Sequence, residues 1–318
     1  MDTVPASNLS ARALKALPLV ISAGLLWLIA GQLTDYNVLN KADLPVLALA
    51  VGCALSLDCL IGAFKWWSVL GFLGHRLPFG QVCKIWCGLL PLTFFAPLQS
   101  GHALYPVALH RASGMTLGHA TESVVVDKGV SLLSTFALIG VGQWMLPANH
   151  PLASQWIAIG AWLPVVLWFF DRSVLAYAGR WRFFADRSRL LTHPLSAACK
   201  AKLLVIGMIY QCSDSLSAWL ACVALGLHID ATLVFGAFPV ALLLSYLPIT
   251  FSGFGVREPA TAWALGASIT WDQGIWVGAL VDVLEYVAPA IAGVLALPWL
   301  LRRLAQAVEG ADETSALD

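Results

Sequence analysis

The feature that most limits what this chain can become is a series of apolar runs, each close to or beyond the roughly 18 to 20 residues that cross a hydrocarbon core. Six of them read as full crossings: 16–33, 44–64, 121–146, 152–171, 203–226 and 275–300. Lipid offers no partner to a free backbone N–H or C=O, so spanning segments become helices or closed barrels. These runs have helix length, since a strand crosses in about 9 to 11 residues. The expected fold is therefore all-α, a polytopic membrane bundle forming one integral membrane domain over 1–318. Composition agrees, with 59% hydrophobic and 11% charged residues, where soluble proteins carry about 25% charged. Arg12 and Lys15 ahead of the first run would suit a secretion signal, but the run lacks a small-x-small cleavage pattern and reads as an uncleaved first helix.

Two further apolar segments cannot be plain helices. Residues 81–107 contain Pro91, Pro97, Gly101 and Pro106, and residues 232–270 contain Pro239, Pro248, Gly253, Gly255 and Pro259. Proline removes a donor and clashes with the preceding turn. The freed backbone groups must then be buried in protein or line a cavity. Re-entrant hairpins or paired half-helices are expected at both places. Orientation follows from Lys and Arg. With both termini cytoplasmic and each broken segment returning to the side it entered from, all of the 18 basic residues except Lys41, Lys128 and Arg257 fall on the cytoplasmic side. That topology sets two units, 81–146 and 232–300, in opposite orientations. Pro97, Gly101 and Asp127 in the first are echoed by Pro248, Gly253 and Asp282 in the second. Secondary transporters use such inverted repeats to alternate access around a midplane site.

Charged groups at membrane depth cost about 2.5–3.5 kcal/mol each even on the mildest scale, so each one needs a reason. Asp127 and Lys128 lie in SVVVDKGVSLL; adjacent helix residues point about 100° apart, so direct pairing between them is not expected. Lys128 then faces an anionic ligand, and Asp127 bonds Ser123 or Ser131 one turn away. Asp282 and Glu285 in VDVLEYVAP share a helix face. Two like charges in a low-dielectric site repel, which suits proton coupling and equally suits a salt bridge to Arg257. The loop SGFGVRE, residues 252–258, joins turn-forming glycines to Arg257, a rigid fork for phosphate or carboxylate. A half-helix opening near Pro259 would bring its positive end to the same place. Asp58, which would pair with Lys65 or with a neighbouring helix, and Asp214, Glu122 and His102 are lesser candidates. The stretch from Arg172 to Lys202, with Trp181, Phe183 and Phe184, reads as an interfacial loop drawn to anionic head groups.

Several functions are excluded or disfavoured. Net charge is zero, so nothing draws nucleic acid. The seven cysteines suggest no disulfide framework. Cys83 and Cys87 are one helical turn apart, but nothing in sequence completes a four-ligand metal set. There is no nucleotide-binding loop, so ATP is not the driver within this chain. Neither metal nor cofactor is expected.

The segment LPITFSGFGVREPATAWALG, residues 247–266, resembles the Pro, Gly-x-Gly-Val-Arg-Glu signature of the lysylphosphatidylglycerol synthase transmembrane region, also called the flippase-like family. APLQSGHALYPVALHRASGMTLGHATESVVVDKGVSLL is similar to the family's other signature, and Phe64 to Leu70 to its early basic-aromatic segment. The resemblance implies a polytopic protein that moves or presents lipids or lipid-linked sugars. It supports roles for Pro248, Gly253, Gly255, Arg257 and Glu258, and for Pro97, Gly101, Asp127 and Lys128. The chain departs from the pattern where His102 and Tyr105 replace an acidic residue and an Arg, and where VDVLEYV lacks a basic residue.

The leading reading is a non-enzymatic flippase for an anionic lipid or polyprenyl-phosphate-linked substrate in a bacterial-type inner membrane. Arg257, Lys128, Gly253, Gly255, Glu258, Gly101 and His102 would bind the substrate, and Asp282, Glu285 and Asp127 would couple protons. A membrane-embedded lipid-modifying transferase is the alternative, disfavoured by the short external loops. A non-transporting partner of a pathway enzyme is the third reading. Expected partners are membrane lipids, a pathway enzyme or a second copy of the chain.

Overall fold

The computed structural model describes residues 20–31, 33–35, 37–94, 101–170, 195–247 and 253–315. Four helices are long and apolar enough to cross a membrane: α3 (Leu44–Phe72), α6 (Leu117–Gly142), α8 (Ala197–Ala224) and α11 (Trp271–Gly293). Shorter apolar helices are α1 (Val20–Gly31), α4 (Phe79–Phe94), α7 (Gln155–Phe169) and α9 (Ala231–Ser245). The remaining helices are α2 (Asn37–Asn40), α5 (Leu104–Ser113), α10 (Arg257–Leu265) and α12 (Leu297–Ser315). The described residues form a multi-pass helix bundle.

Two of the expected breaks fall elsewhere. Pro91 and Pro239 sit inside continuous helices, because neighbouring helices can re-satisfy the freed carbonyls at membrane depth. Pro106 and Pro259 instead occupy the third positions of α5 and α10, where a missing N–H has no intrahelical partner to lose. Pro97 and Pro248 lie outside the described residues, as does the basic stretch up to residue 194.

The order of elements repeats. A helix of 16 residues (α4), a helix of 10 (α5) and a 26-residue span (α6) are followed later by helices of 15 (α9) and 9 (α10) and a 23-residue span (α11). α9 packs on α6, and α4 on the end of α11. Both crossings use a glycine near the end of the long helix. A Cβ on Gly142 would lie 2.6 Å from the Gly236 carbonyl oxygen, and one on Gly293 would lie 2.4 Å from that of Cys87. Only glycine allows these backbones so close, the usual device for packing helices in lipid.

The buried apolar side chains form a large cluster at each end of the long helices. One joins Ala50 and Ala54 of α3, Ala218 to Leu225 of α8, and residues of α9, α10 and the first half of α11. The other joins Trp66 and Leu70 of α3, Trp86 and Leu89 of α4, Tyr105 of α5 and Val124 of α6. Between these two cores lies the middle of the bundle, and there the polar residues gather.

Candidate functional site

Both α3 and α11 pass through a single π-helical turn, at Asp58–Gly62 and Val283–Val287. A π-turn inserts one residue into the helical count and often marks a functional position. Each places an acid, Asp58 and Glu285, against a central cavity of about 330 Å³. Lys128 and His102 face the same cavity, as do Asp214 and Tyr210 of α8 and Tyr286 of α11. Within the described wall Lys128 is the lone Lys or Arg, opposite three carboxylates. Its side chain is 36% exposed and lies over Trp86 and Tyr105, 5.5 and 5.4 Å from the ring centroids. Asp58 Oδ2, His102 Nδ1 and Glu285 Oε1 have no hydrogen-bond partner among the described residues.

Behind the wall are two buried cation–carboxylate groups. Arg257 is wholly buried at the start of α10. Its Nη1 lies 2.6 Å from Glu285 Oε2 and 3.1 Å from Asp282 Oδ1. Its Nη2 donates to Tyr286 OH at 2.8 Å and to Ser245 Oγ at 3.3 Å. One guanidinium thus holds two acids, a phenol and the end of α9, a geometry only a planar fork can satisfy. The loop before it is locked by its own residues: the Gly255 N–H donates to Glu258 Oε2 at 2.8 Å. Gly253 and Gly255 have φ of 90° and 87°, the left-handed region that glycine adopts without a Cβ penalty. Tight packing keeps this corner in place, since a Cβ on Gly278 of α11 would meet the Glu258 Cα at 2.6 Å.

The second group corrects the sequence reading. Lys65, expected in a cytoplasmic loop and as the partner of Asp58, is wholly buried inside α3 and lies 3.1 Å from Asp127 Oδ1. It also donates to Ser131 Oγ and sits 4.6 Å from the Tyr210 ring centroid. The apolar run of α3 continues through Lys65 to Phe72, so the span carries the lysine inward. Asp58 takes the other expected partner, a neighbouring helix: the Tyr210 hydroxyl of α8 donates to its Oδ1 at 2.8 Å. Asp127 and Lys128 do approach each other, at 3.7 Å, because a long flexible lysine can fold back across the helix angle between adjacent residues.

Of the predicted site residues, Lys128, His102 and Glu285 line the cavity. Asp127, Asp282 and Arg257 stand behind its wall, and Gly253, Gly255 and Glu258 form the corner that seats Arg257. Gly101 is buried immediately before α5. The residues missed as site candidates are Tyr210 and Tyr286 on the wall and Lys65 behind it. Spacing gave no signal for them, because their partners come from other helices. Among the described residues no group of His, Cys, Asp and Glu is arranged to hold a metal ion.

Comparison with curated proteins gives no match. A family model described as the lysylphosphatidylglycerol synthase TM region matches residues 15–293. The order of helices, the Gly-x-Gly-Val-Arg-Glu corner and the polar middle of the bundle therefore belong to a lipid-related membrane protein, and the chain is a member of the lysylphosphatidylglycerol synthase transmembrane-region family.

Proposed function

We propose that this protein is a flippase that carries the head group of an anionic lipid or a polyprenyl-phosphate-linked substrate across a bacterial-type inner membrane. The observation that carries the reading is Lys128, a half-exposed cation on the wall of a mid-bundle cavity. Head-group phosphate meets Lys128 there, while the hydrocarbon tail stays in lipid. Arg257 serves differently from the sequence expectation: with Asp282 and Glu285 both within 3.1 Å, it positions the wall and does not meet the head group. Glu285, with one carboxylate oxygen unpaired, is the acid that exchanges a proton as the head group enters or leaves. Asp127 and Asp282 act as fixed counter-ions to Lys65 and Arg257.

The two units, 81–146 and 232–300, move as an inverted repeat about the cavity. Their exchanged arms support this reading, since each unit closes on the other through a glycine crossing of the same kind. Arg76, Lys84, Arg111, Lys200 and Lys202 belong to the end of the bundle that carries the core of Trp66, Trp86 and Tyr105, and Lys41 to the other end. By the positive-inside rule the former end faces the cytoplasm.

The test is movement of labelled phosphatidylglycerol and of a polyprenyl phosphate in proteoliposomes, with and without a pH gradient. Wild-type protein moves at least one of them, and Lys128→Gln slows that movement at least tenfold. Folded wild-type protein that moves neither lipid overturns the reading.

A further inference from the structure

A second lipid site lies on the outside of the bundle, away from the cavity. Phe64, Trp67, Ser68, Gly71 and Phe72 form one stripe along α3 at helical spacing. They face Ala201, Lys202, Val205 and Ile206 at the start of α8. The two stripes enclose an open groove of about 620 Å³. Small residues, Ser68, Gly71 and Ala201, are interspersed with bulky ones along its lining.

The groove offers almost no free polar group along its length. The Ser68 hydroxyl donates back to the Phe64 carbonyl at 2.8 Å, and the Trp67 indole N–H donates to the Leu77 carbonyl at 2.8 Å. The exception is Lys202, which is exposed and in the second turn of α8. It stands at the basic end of the bundle, near the level where α3 ends at Phe72. From Phe72 to Phe64 the groove runs about 12 Å at 1.5 Å per residue, close to the depth of one leaflet in a hydrocarbon core of about 30 Å. A cation at the head-group level above an apolar slot one leaflet deep has the shape and charge of an anionic phospholipid.

We infer that the α3–α8 groove binds one anionic phospholipid of the surrounding leaflet, with its phosphate on Lys202 and an acyl chain between Phe64, Trp67 and Ile206. This site is independent of the transport reading, because none of its lining residues faces the central cavity. A single lysine near the membrane surface contributes about 1 kcal/mol toward an anionic head group, or about fivefold in affinity.

The test is native mass spectrometry of the purified full chain, titrated with phosphatidylglycerol and, separately, phosphatidylcholine. Wild type and Lys128→Gln, which lacks the cavity's head-group cation, each retain one phosphatidylglycerol in the groove in preference to phosphatidylcholine, and the groove variants are read in the Lys128→Gln background. Lys202→Gln lowers that preference about fivefold. Gly71→Phe fills the groove and abolishes retention; a Cβ at Gly71 meets nothing within 4 Å, so this variant keeps its fold, as circular dichroism and a monodisperse elution profile verify. Lys128→Gln leaves retention unchanged. Folded Gly71→Phe that holds phosphatidylglycerol as wild type does overturns the inference and leaves the groove to a second copy or to the chain's own residues. Loss of the retained lipid in Lys128→Gln overturns it too, by placing that lipid in the cavity.

Discussion

The Lys65 ammonium lies 3.1 Å from the Asp127 carboxylate, and both side chains are buried in the middle of the bundle. The pair joins α3 to α6 and leaves the neighbouring Lys128 facing the cavity. Asp127 holds Lys65 with one carboxylate oxygen and stands 3.7 Å from Lys128 with the other. The arrangement gives each of three membrane-depth cations its own place: Lys65 with Asp127, Arg257 with Asp282 and Glu285, and Lys128 on the cavity wall.

Asp127→Leu leaves Lys65 an uncompensated buried charge, which costs about 3–5 kcal/mol, whereas Lys65→Met leaves Asp127 the longer 3.7 Å contact to Lys128. Lys65→Met and Asp127→Leu each lower the thermal unfolding midpoint in detergent. The double variant recovers most of that loss, since it buries no lone charge. A double variant as unstable as the worse single would show that the pair is not coupled.

Lys128→Gln keeps the fold, because the side chain is 36% exposed and touches its rings from outside the core. Its unfolding midpoint stays near wild type while lipid movement falls at least tenfold. Equal loss in stability and movement would make Lys128 a structural residue.

Arg257→Lys loses the fork that reaches Glu285, Asp282, Tyr286 and Ser245 at once. A single ammonium cannot replace it, so this nominally conservative change lowers both stability and transport. Glu285→Gln is milder: it keeps an amide oxygen beside Arg257 Nη1. Lipid movement in Glu285→Gln persists but no longer responds to a pH gradient. A retained response would remove Glu285 from proton exchange.

Gly142→Ala and Gly293→Ala test the reciprocal crossings. Each new methyl carbon meets a backbone carbonyl oxygen at 2.6 or 2.4 Å, and backbone cannot yield as a side-chain end does. Overpacking of this kind costs about 1–3 kcal/mol. The two variants lose similar stability, and each slows transport because the crossing it opens joins one unit to the other. Unequal effects, with one variant silent, would argue against the units being matched.

The sequence by itself determined that the chain lies in a membrane as helices, because lipid leaves the backbone no other partner. It also located the glycine corner before Arg257 and the acids of the last span, since glycine and buried charge act locally and are visible in order along the chain. Apolar periodicity hid what lies where helices meet. Lys65 looked like the end of a crossing because it is flanked by Phe64 and Trp66–Trp67, and only the packing of α3 on α6 brings it to Asp127. Pro91 and Pro239 looked like breaks, but neighbouring helices allow both helices to continue. The π-turns that carry Asp58 and Glu285 to the cavity have no sequence mark of their own. Which charges are paired and which one faces the cavity depends on distances between side chains far apart in the chain, and those are set by tertiary packing alone.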